Sequence, residues 1–318
     1  WLDLARALDR QRRDQPIAKP VFAPPADRRP RRLSVTQVER LLVDPFSFYA
    51  QVGLDLATTD MLDAPLGPPT KGSLLHRVLE QWVRGGASDL ARLLDIAEAE
   101  LAGPGVTEAA RALWGPRVRA TLRWAGEELL RCRAEGREPA LFEDKGVVDI
   151  GSATLSGMPD RIDRLPDGTL AVVDYKTGSS PSKKAVQAGF ALQLGLLGAM
   201  VERGGFGEER AGEVARFEYW RLRRHSDGRN GYCEEPFGAN GAVHAQNFAD
   251  TAWRAAEVAV AQYLDGDEPF VPKLHPEWAP YGDNDQLMRF EEWNGRDARD
   301  TLPAHIEQAA SPAPEEGA

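Results

Sequence analysis

The stretch GMPDRIDRLPDGTLAVVDYK, residues 157–176, reads as two strand-like runs, each carrying acid, that meet at a tight turn. Side chains alternate along a strand, so Asp174 and Lys176 project from one face. A three-residue hairpin loop at Pro166, Asp167 and Gly168 pairs Leu165 with Thr169 and brings Asp160 directly opposite Asp174. Directly opposed residues lie roughly 4.5 to 5.5 Å apart on the same side of a sheet. Two carboxylates at about 4 Å repel by ~4 kcal/mol at an effective dielectric near 20, and a divalent cation is the simplest remedy. A two-residue loop at Asp167 and Gly168 would instead pair Asp160 with Tyr175 and turn the acids to opposite faces. A surface hairpin with a solvated acidic face is the plainer alternative. The apolar run from Leu170 to Val173 predicts a strand covered on both faces, with Asp174 where that buried strand emerges. A carboxylate there is costly unless ligated or paired.

Composition bounds the reading. The 318 residues are 42% hydrophobic and 28% charged, as expected of a soluble globule with one large domain or two small ones. No apolar run is long enough to span a membrane, and no signal peptide opens the chain. The first residue is Trp1, which predicts a piece of something longer. Only Cys132 and Cys233 occur, too few for a disulfide framework or a thiolate-held zinc or iron-sulfur centre, and this suits a reducing cytoplasm. The net charge of -10 argues mildly against nucleic acid. Two arginine clusters offset it locally: Arg117, Arg119, Arg123, Arg131, Arg133 and Arg137, then Arg221, Arg223, Arg224 and Arg229. Each is read either as a solvated face or as a track for a DNA backbone.

Along the chain, residues 1–32 read as a basic, Pro-rich arm or linker after a short amphipathic start. Ser34, with Thr36 and Glu39, offers capping chemistry for a helix through Leu42 that stops near Asp44-Pro45. Residues 54–70 read as a Pro-rich loop. Ser73 is expected to cap a helix whose apolar stripe is Leu74, Leu75, Val78, Leu79 and Trp82, with Gly85-Gly86 as its stop. Two more helices are expected over 88–102 and 106–135, making a helical part of about 73–135 before a sheet region of about 141–223. Glu143 is placed near the first strand in uncertain register, either aimed at the acids or an edge-strand acid. Ala153 to Leu155 are expected to begin the acid-bearing hairpin. One helix is expected from Lys183 or Lys184 to Val201, a strand over Phe217 to Arg223, and a long helix from Val243 to Leu264. The Pro- and Glu-rich end, 303–318, reads as a disordered tail.

G-x-x-D-R-I-D followed by V-V-D-Y-K-T-G resembles the PD-(D/E)xK nuclease superfamily, specifically its RecB-like branch. Lys71-Gly-Ser-Leu-Leu-His76 resembles that branch's G-x-x-x-H helix, Glu143 its extra upstream acid, and Gln193 opens a segment similar to its Q-x-x-x-Y motif. Ser34 to Tyr49 and Tyr281 to Trp293 resemble the first helix and last segment of AddB-type nuclease domains. The resemblance covers about residues 33–300. It implies an α/β fold: a mixed central β-sheet flanked by helices, a restriction-endonuclease-like core with a helical insertion, and a nuclease domain over 33–302.

The resemblance also implies a Mg²⁺-dependent deoxyribonuclease acting on one strand of unwound DNA during double-strand break repair, beside an AddA-type helicase-nuclease partner. Asp160, Asp174, Lys176 and Gln193 would be catalytic. His76, Asp160, Asp174 and the Tyr175 carbonyl would hold Mg²⁺, or Mn²⁺ given the imidazole, with Glu143 accessory. Lys176 would orient water and stabilise developing charge. Asp163 and Arg161 are expected to be structural, with Asp163 paired to Arg161 or Arg164, and Thr177 to touch phosphate at most. Related domains hold an iron-sulfur cluster whose first cysteine precedes the Pro-Phe of the entry helix; Asp44 stands there, so no cluster is expected and ordinary polar contacts must tie the ends. Leu197 replaces the family tyrosine. A stand-alone RecB-like single-strand nuclease and a catalytically inactive scaffold binding DNA and AddA are the rival readings.

Overall fold

The computed structural model describes residues 1–8, 19, 21–56, 68–238, 241–279 and 282–293. After α1 (Leu2–Leu8), the chain forms β1 (Arg32–Ser34), α2 (Val35–Val43) and α3 (Pro45–Val52). Three long helices follow: α4 (Pro68–Arg84), α5 (Leu90–Leu101) and α6 (Glu108–Ala134). The strands β2 (Glu138–Leu141), β3 (Gly146–Ile150), β4 (Ala153–Gly157), β5 (Arg161–Arg164) and β6 (Leu170–Lys176) come next. They are succeeded by α7 (Lys183–Gln187), α8 (Gln193–Glu202), β7 (Val214–Arg221), β8 (Tyr232–Glu234), α9 (Ala245–Ala259) with a π-helical extension to Asp265, and α10 (Phe290–Trp293).

The fold is mixed α/β, with helices flanking two mixed sheets. A five-stranded sheet has the order β2-β5-β6-β7-β8, and a three-stranded sheet the order β1-β4-β3. The split corrects the expectation that Ala153 to Leu155 start the acid-bearing hairpin, because β4 pairs with β3 and β1 instead. The chain leaves one sheet for the other at Met158-Pro159, where proline has no N–H to continue a ladder.

Strand β6 lies between antiparallel β5 and parallel β7 and is buried on both faces. Leu170 and Val172 join a core with α2, α8 and α9, whereas Val173 and Tyr175 join a second core with α4, α5 and α6. This accounts for the apolar run read from the sequence. At its turn, Leu165 N–H donates to the Thr169 carbonyl at 2.8 Å, and Gly168 takes a φ of 88°, which glycine adopts without steric cost. The three-residue loop is therefore the one formed, and the ladder Arg161–Val173, Ile162–Val172 sets Asp160 against Asp174.

Several boundaries differ from expectation. Helix α4 starts at Pro68, not at Ser73, because prolines are tolerated in a first turn whose N–H groups have no helical acceptor. Ser34 caps α2 reciprocally with Gln37, and Glu39 points elsewhere. The expected helix from Lys183 to Val201 is two helices, interrupted around Gly189 at φ 78°. The long helix starts at Ala245 rather than Val243 and changes to π form at Val260.

The end of the expected arm is packed. Arg29 is buried, donates to the carbonyls of Pro24, Tyr263 and Glu268, and lies over Phe270. The expected disordered tail, 303–318, lies outside the described residues. Asp44 caps α3 by accepting from Ser47 N–H at 3.1 Å and also accepts from Lys273 N–H at 3.2 Å. The Lys273 ammonium, 1% exposed, lies 3.7 Å from Asp44, 2.8 Å from Asp285 and 2.8 Å from the Ala279 carbonyl. At the Asp44 position a buried ion cluster thus joins the entry helices to the last described segment.

Candidate active site

The two opposed acids have different partners. Asp160 accepts from Tyr175 N–H at 2.5 Å through Oδ2, while its Oδ1 lies 3.3 Å from His76 Nδ1. Asp174 lies beside Lys176, with Nζ 2.9 Å from Oδ2 and 3.1 Å from Oδ1. Gln193, the first residue of α8, donates to Asp174 Oδ1 at 3.3 Å and accepts from Lys176 at 3.4 Å.

His76 is delivered by α4. Gly72 lies one turn earlier on the same helix face, and a Cβ there would sit 3.1 Å from Thr177 Oγ1. The missing side chain lets α4 close onto the end of β6, and His76 Nε2 reaches the Tyr175 carbonyl at 3.0 Å. Thr177 lines the same cleft, of about 500 Å³, with Gly72, Ser73, His76, Arg77, Glu80 and Glu143.

Glu143 is not a strand residue, which corrects its placement at a strand edge. It stands between β2 and β3 with φ at 45°, and its N–H donates to the Pro159 carbonyl at 3.0 Å. This conformation, uncommon for a side chain other than glycine, asparagine or aspartate, brings the carboxylate to 3.6 Å from His76 Nδ1. Arg84 of α4 supports the loop, donating to the Phe142 carbonyl at 2.7 Å and to Asp144 at 3.1 Å. Sequence reasoning missed Arg84 because the loop it supports, at Phe142 and Asp144, is about 60 residues away in the chain.

Electrostatics follow from this crowding. Burial opposes the imidazolium of His76, but hydrogen bonds to Asp160 and Glu143 outweigh it and raise the pKa to about 10. Burial, then the charge of Asp160, raises Asp174 to about 6 against the pull of Lys176 and His76. One donor atom from each of His76, Glu143 and Asp160 lies within 4.8 Å of the others. A divalent metal fits this set of two hard oxygens and one nitrogen. Asp174 Oδ2 is buried and, beyond the Lys176 ion pair, has no hydrogen bond among the described residues, which leaves it lone-pair capacity for a ligand. The structure therefore gathers His76, Glu143 and Asp160, sets Asp174 beside them with Lys176 and Gln193, and engages the Tyr175 carbonyl with His76.

Other expected residues lie elsewhere. Asp163 projects to the opposite face and is buried between Arg137 at 2.6 Å and Arg161 at 2.8 Å; Arg164 is not its partner. Arg161 is fully buried over Trp220 and donates to the Tyr175 hydroxyl at 2.7 Å. Leu197 is buried against Gly157 in the core rather than facing the cleft. Much of the arginine clusters is spent on internal contacts: Arg119 with Glu98, Arg131 with Glu128, Arg137 with Glu218 and Arg221 with Glu234.

A model of the PD-(D/E)XK nuclease superfamily matches residues 32–308. The chain belongs to that superfamily. Among relatives of this PD-(D/E)XK protein, an uncharacterized protein of Rickettsia bellii (strain RML369-C) is 28% identical over 192 residues, 56% of this chain and 22% of that one. An ATP-dependent helicase/deoxyribonuclease subunit of Clostridium acetobutylicum is 29% identical over 213 residues, 56% of this chain and 18% of the relative. The like-named protein of Acetivibrio thermocellus is 30% identical over 196 residues, 51% and 17% of the two chains. The chain thus spans about a fifth of the length of these relatives. No helix among the described residues is long and apolar enough to cross a membrane.

Proposed function

We propose that residues 33–302 form a metal-dependent deoxyribonuclease domain that hydrolyses phosphodiester bonds in one strand of unwound DNA. The observation that carries this reading is the register of β5 and β6, which opposes Asp160 and Asp174 while Lys176 shares the face of Asp174. His76, Glu143, Asp160 and Asp174 are the residues that would hold Mg²⁺ or Mn²⁺. Bound there, the ion would activate water and neutralise charge on the phosphoryl oxygens.

The chain's own side chains do the rest. Lys176 holds its ammonium beside Asp174, where it would steady the attacking water and the charge that develops on phosphate. Gln193 fixes both Asp174 and Lys176 through one amide. Thr177 offers a hydroxyl to phosphate at the mouth of the cleft.

The helicase/deoxyribonuclease proteins among the relatives support a role in processing double-strand breaks beside an AddA-type motor that delivers the strand. The test is cleavage of labelled linear single-stranded DNA with Mg²⁺ or Mn²⁺, by the parent and by Asp174→Ala and Lys176→Ala. The parent is expected to cut and the variants to lose at least about 10²-fold in rate. Equal cleavage by all three would end the assignment.

A further inference from the structure

Glu39 lies on α2, remote in sequence from the hairpin, and the chemistry above gives it no task. Its Oε1 accepts from two successive backbone groups, Leu192 N–H at 2.6 Å and Gln193 N–H at 2.7 Å. These are the amides at which the chain resumes helix after the break at Gly189. The first N–H groups of a helix lack helical acceptors, and Leu192, at the cap position, offers no side-chain acceptor. A carboxylate supplies charge-assisted bonds to them. Here it comes from another helix, so it fixes the position of α8 relative to α2 as well as its first turn.

What Glu39 holds is the residue that reaches the site. Gln193 carries Asp174 on its Nε2 and Lys176 on its Oε1, at 3.3 and 3.4 Å. Burial raises the Glu39 pKa, and the charge of Lys176 opposes that rise, so the two charged groups sense each other. The ring of Tyr219 fills the space under the Lys176 ammonium at 5.9 Å. A continuous chain of contacts therefore runs from Glu39 through two amides and one side-chain amide to Asp174 and Lys176.

We infer that Glu39 is a positioning residue for hydrolysis, setting the start of α8 so that Gln193 holds Asp174 and Lys176 in register. The inference rests on the nuclease reading above. An error of about 1 Å in such a group costs on the order of 10²-fold in rate. Glu39→Gln keeps an oxygen for both amides and removes the charge, whereas Glu39→Ala removes both.

The experiment measures kcat and KM for labelled single-stranded DNA with Mn²⁺, in the parent, Glu39→Ala, Glu39→Gln, Gln193→Ala and the Glu39→Ala/Gln193→Ala pair. Glu39→Ala is expected to lower kcat by about 10- to 100-fold at nearly parental KM. Glu39→Gln should stay within about threefold of the parent, and the double variant should be no slower than Gln193→Ala alone. Glu39→Asp retracts the acceptor while keeping the charge, and it takes the place of Glu39→Ala if that variant does not fold. Parental kcat in Glu39→Ala, or in Glu39→Asp where it stands in, or losses that simply add in the pair, would overturn the inference alone. A parent that leaves DNA intact overturns the nuclease reading and this inference with it.

Discussion

Asp160, the residue just before β5, is set against Asp174 of β6 by the register of the ladder, yet Asp160 is turned to His76 while Asp174 is turned to Lys176. The two acids share one region without sharing one counterion. The first prediction concerns the cost of that arrangement without metal. The Asp174 pKa is raised to about 6, above an unfolded value near 4, so the folded state holds its proton more tightly. Metal-free stability should therefore lose this group's contribution as pH rises from about 4 to about 6. Urea unfolding in chelator at several pH values is expected to show a parent minus Asp174→Asn difference that moves against the parent over that window. A difference independent of pH would contradict it.

His76 carries the same sign at higher pH. Its folded pKa of about 10 exceeds the ordinary 6.5, so its ion pairs stabilise the metal-free protein fully below about 6.5 and are lost as pH rises toward 10. A metal ligand must be the neutral imidazole, so ion binding displaces a proton. Titrating Mn²⁺ at pH 7.5 in two buffers of different ionisation enthalpy should report proton release of about one per site. His76→Gln should abolish that release and weaken binding.

Lys273 tests the ion cluster that joins the entry helices to the last described segment. Its ammonium is buried against Asp44 and Asp285, and removing one partner of a buried pair commonly costs about 3–5 kcal/mol because the other charge is left behind. Lys273→Met should lower the urea midpoint accordingly. The Asp44→Asn/Lys273→Met pair should recover part of the loss. No recovery would mean that packing, not charge, dominates there.

What the sequence revealed of this site depended on how local the cause was. The β5–β6 register could be narrowed to two loops from local residues, and the three-residue one forms with Gly168 at positive φ and Asp167 bonding the Thr169 N–H. His76 could be placed only through the resemblance of Lys71-Gly-Ser-Leu-Leu-His76 to a G-x-x-x-H helix, since the close approach of Gly72 to Thr177 is tertiary. The break before α8 could not, since a helical pattern continues through it and the residue that holds its end, Glu39, is tertiary. The sheet split at Pro159 and the Asp44–Lys273 pairing likewise depend on partners far along the chain. Glu143 was half visible: its residue type pointed to the site, but its left-handed conformation did not follow from any local pattern.

That conformation leads to a last prediction. Glu143 reaches His76 only because the loop between β2 and β3 is pinned on one side by the Pro159 carbonyl and on the other by Arg84. Arg84 is half-exposed, so its ion pairs with Glu80 and Asp144 contribute little to stability, on the order of 1 kcal/mol or less. Its bond to the Phe142 carbonyl acts on geometry, and supports of a metal ligand typically govern affinity by about 10- to 100-fold. Arg84→Ala should therefore weaken Mn²⁺ binding by about tenfold with a nearly unchanged urea midpoint. Glu143→Gln should weaken it at least as much, and adding Arg84→Ala to Glu143→Gln should change little, because the support then has no ligand left to hold. Calorimetric titration of the three variants checks this; an Arg84→Ala loss that persists undiminished beside Glu143→Gln would show that Arg84 acts on the site by another route.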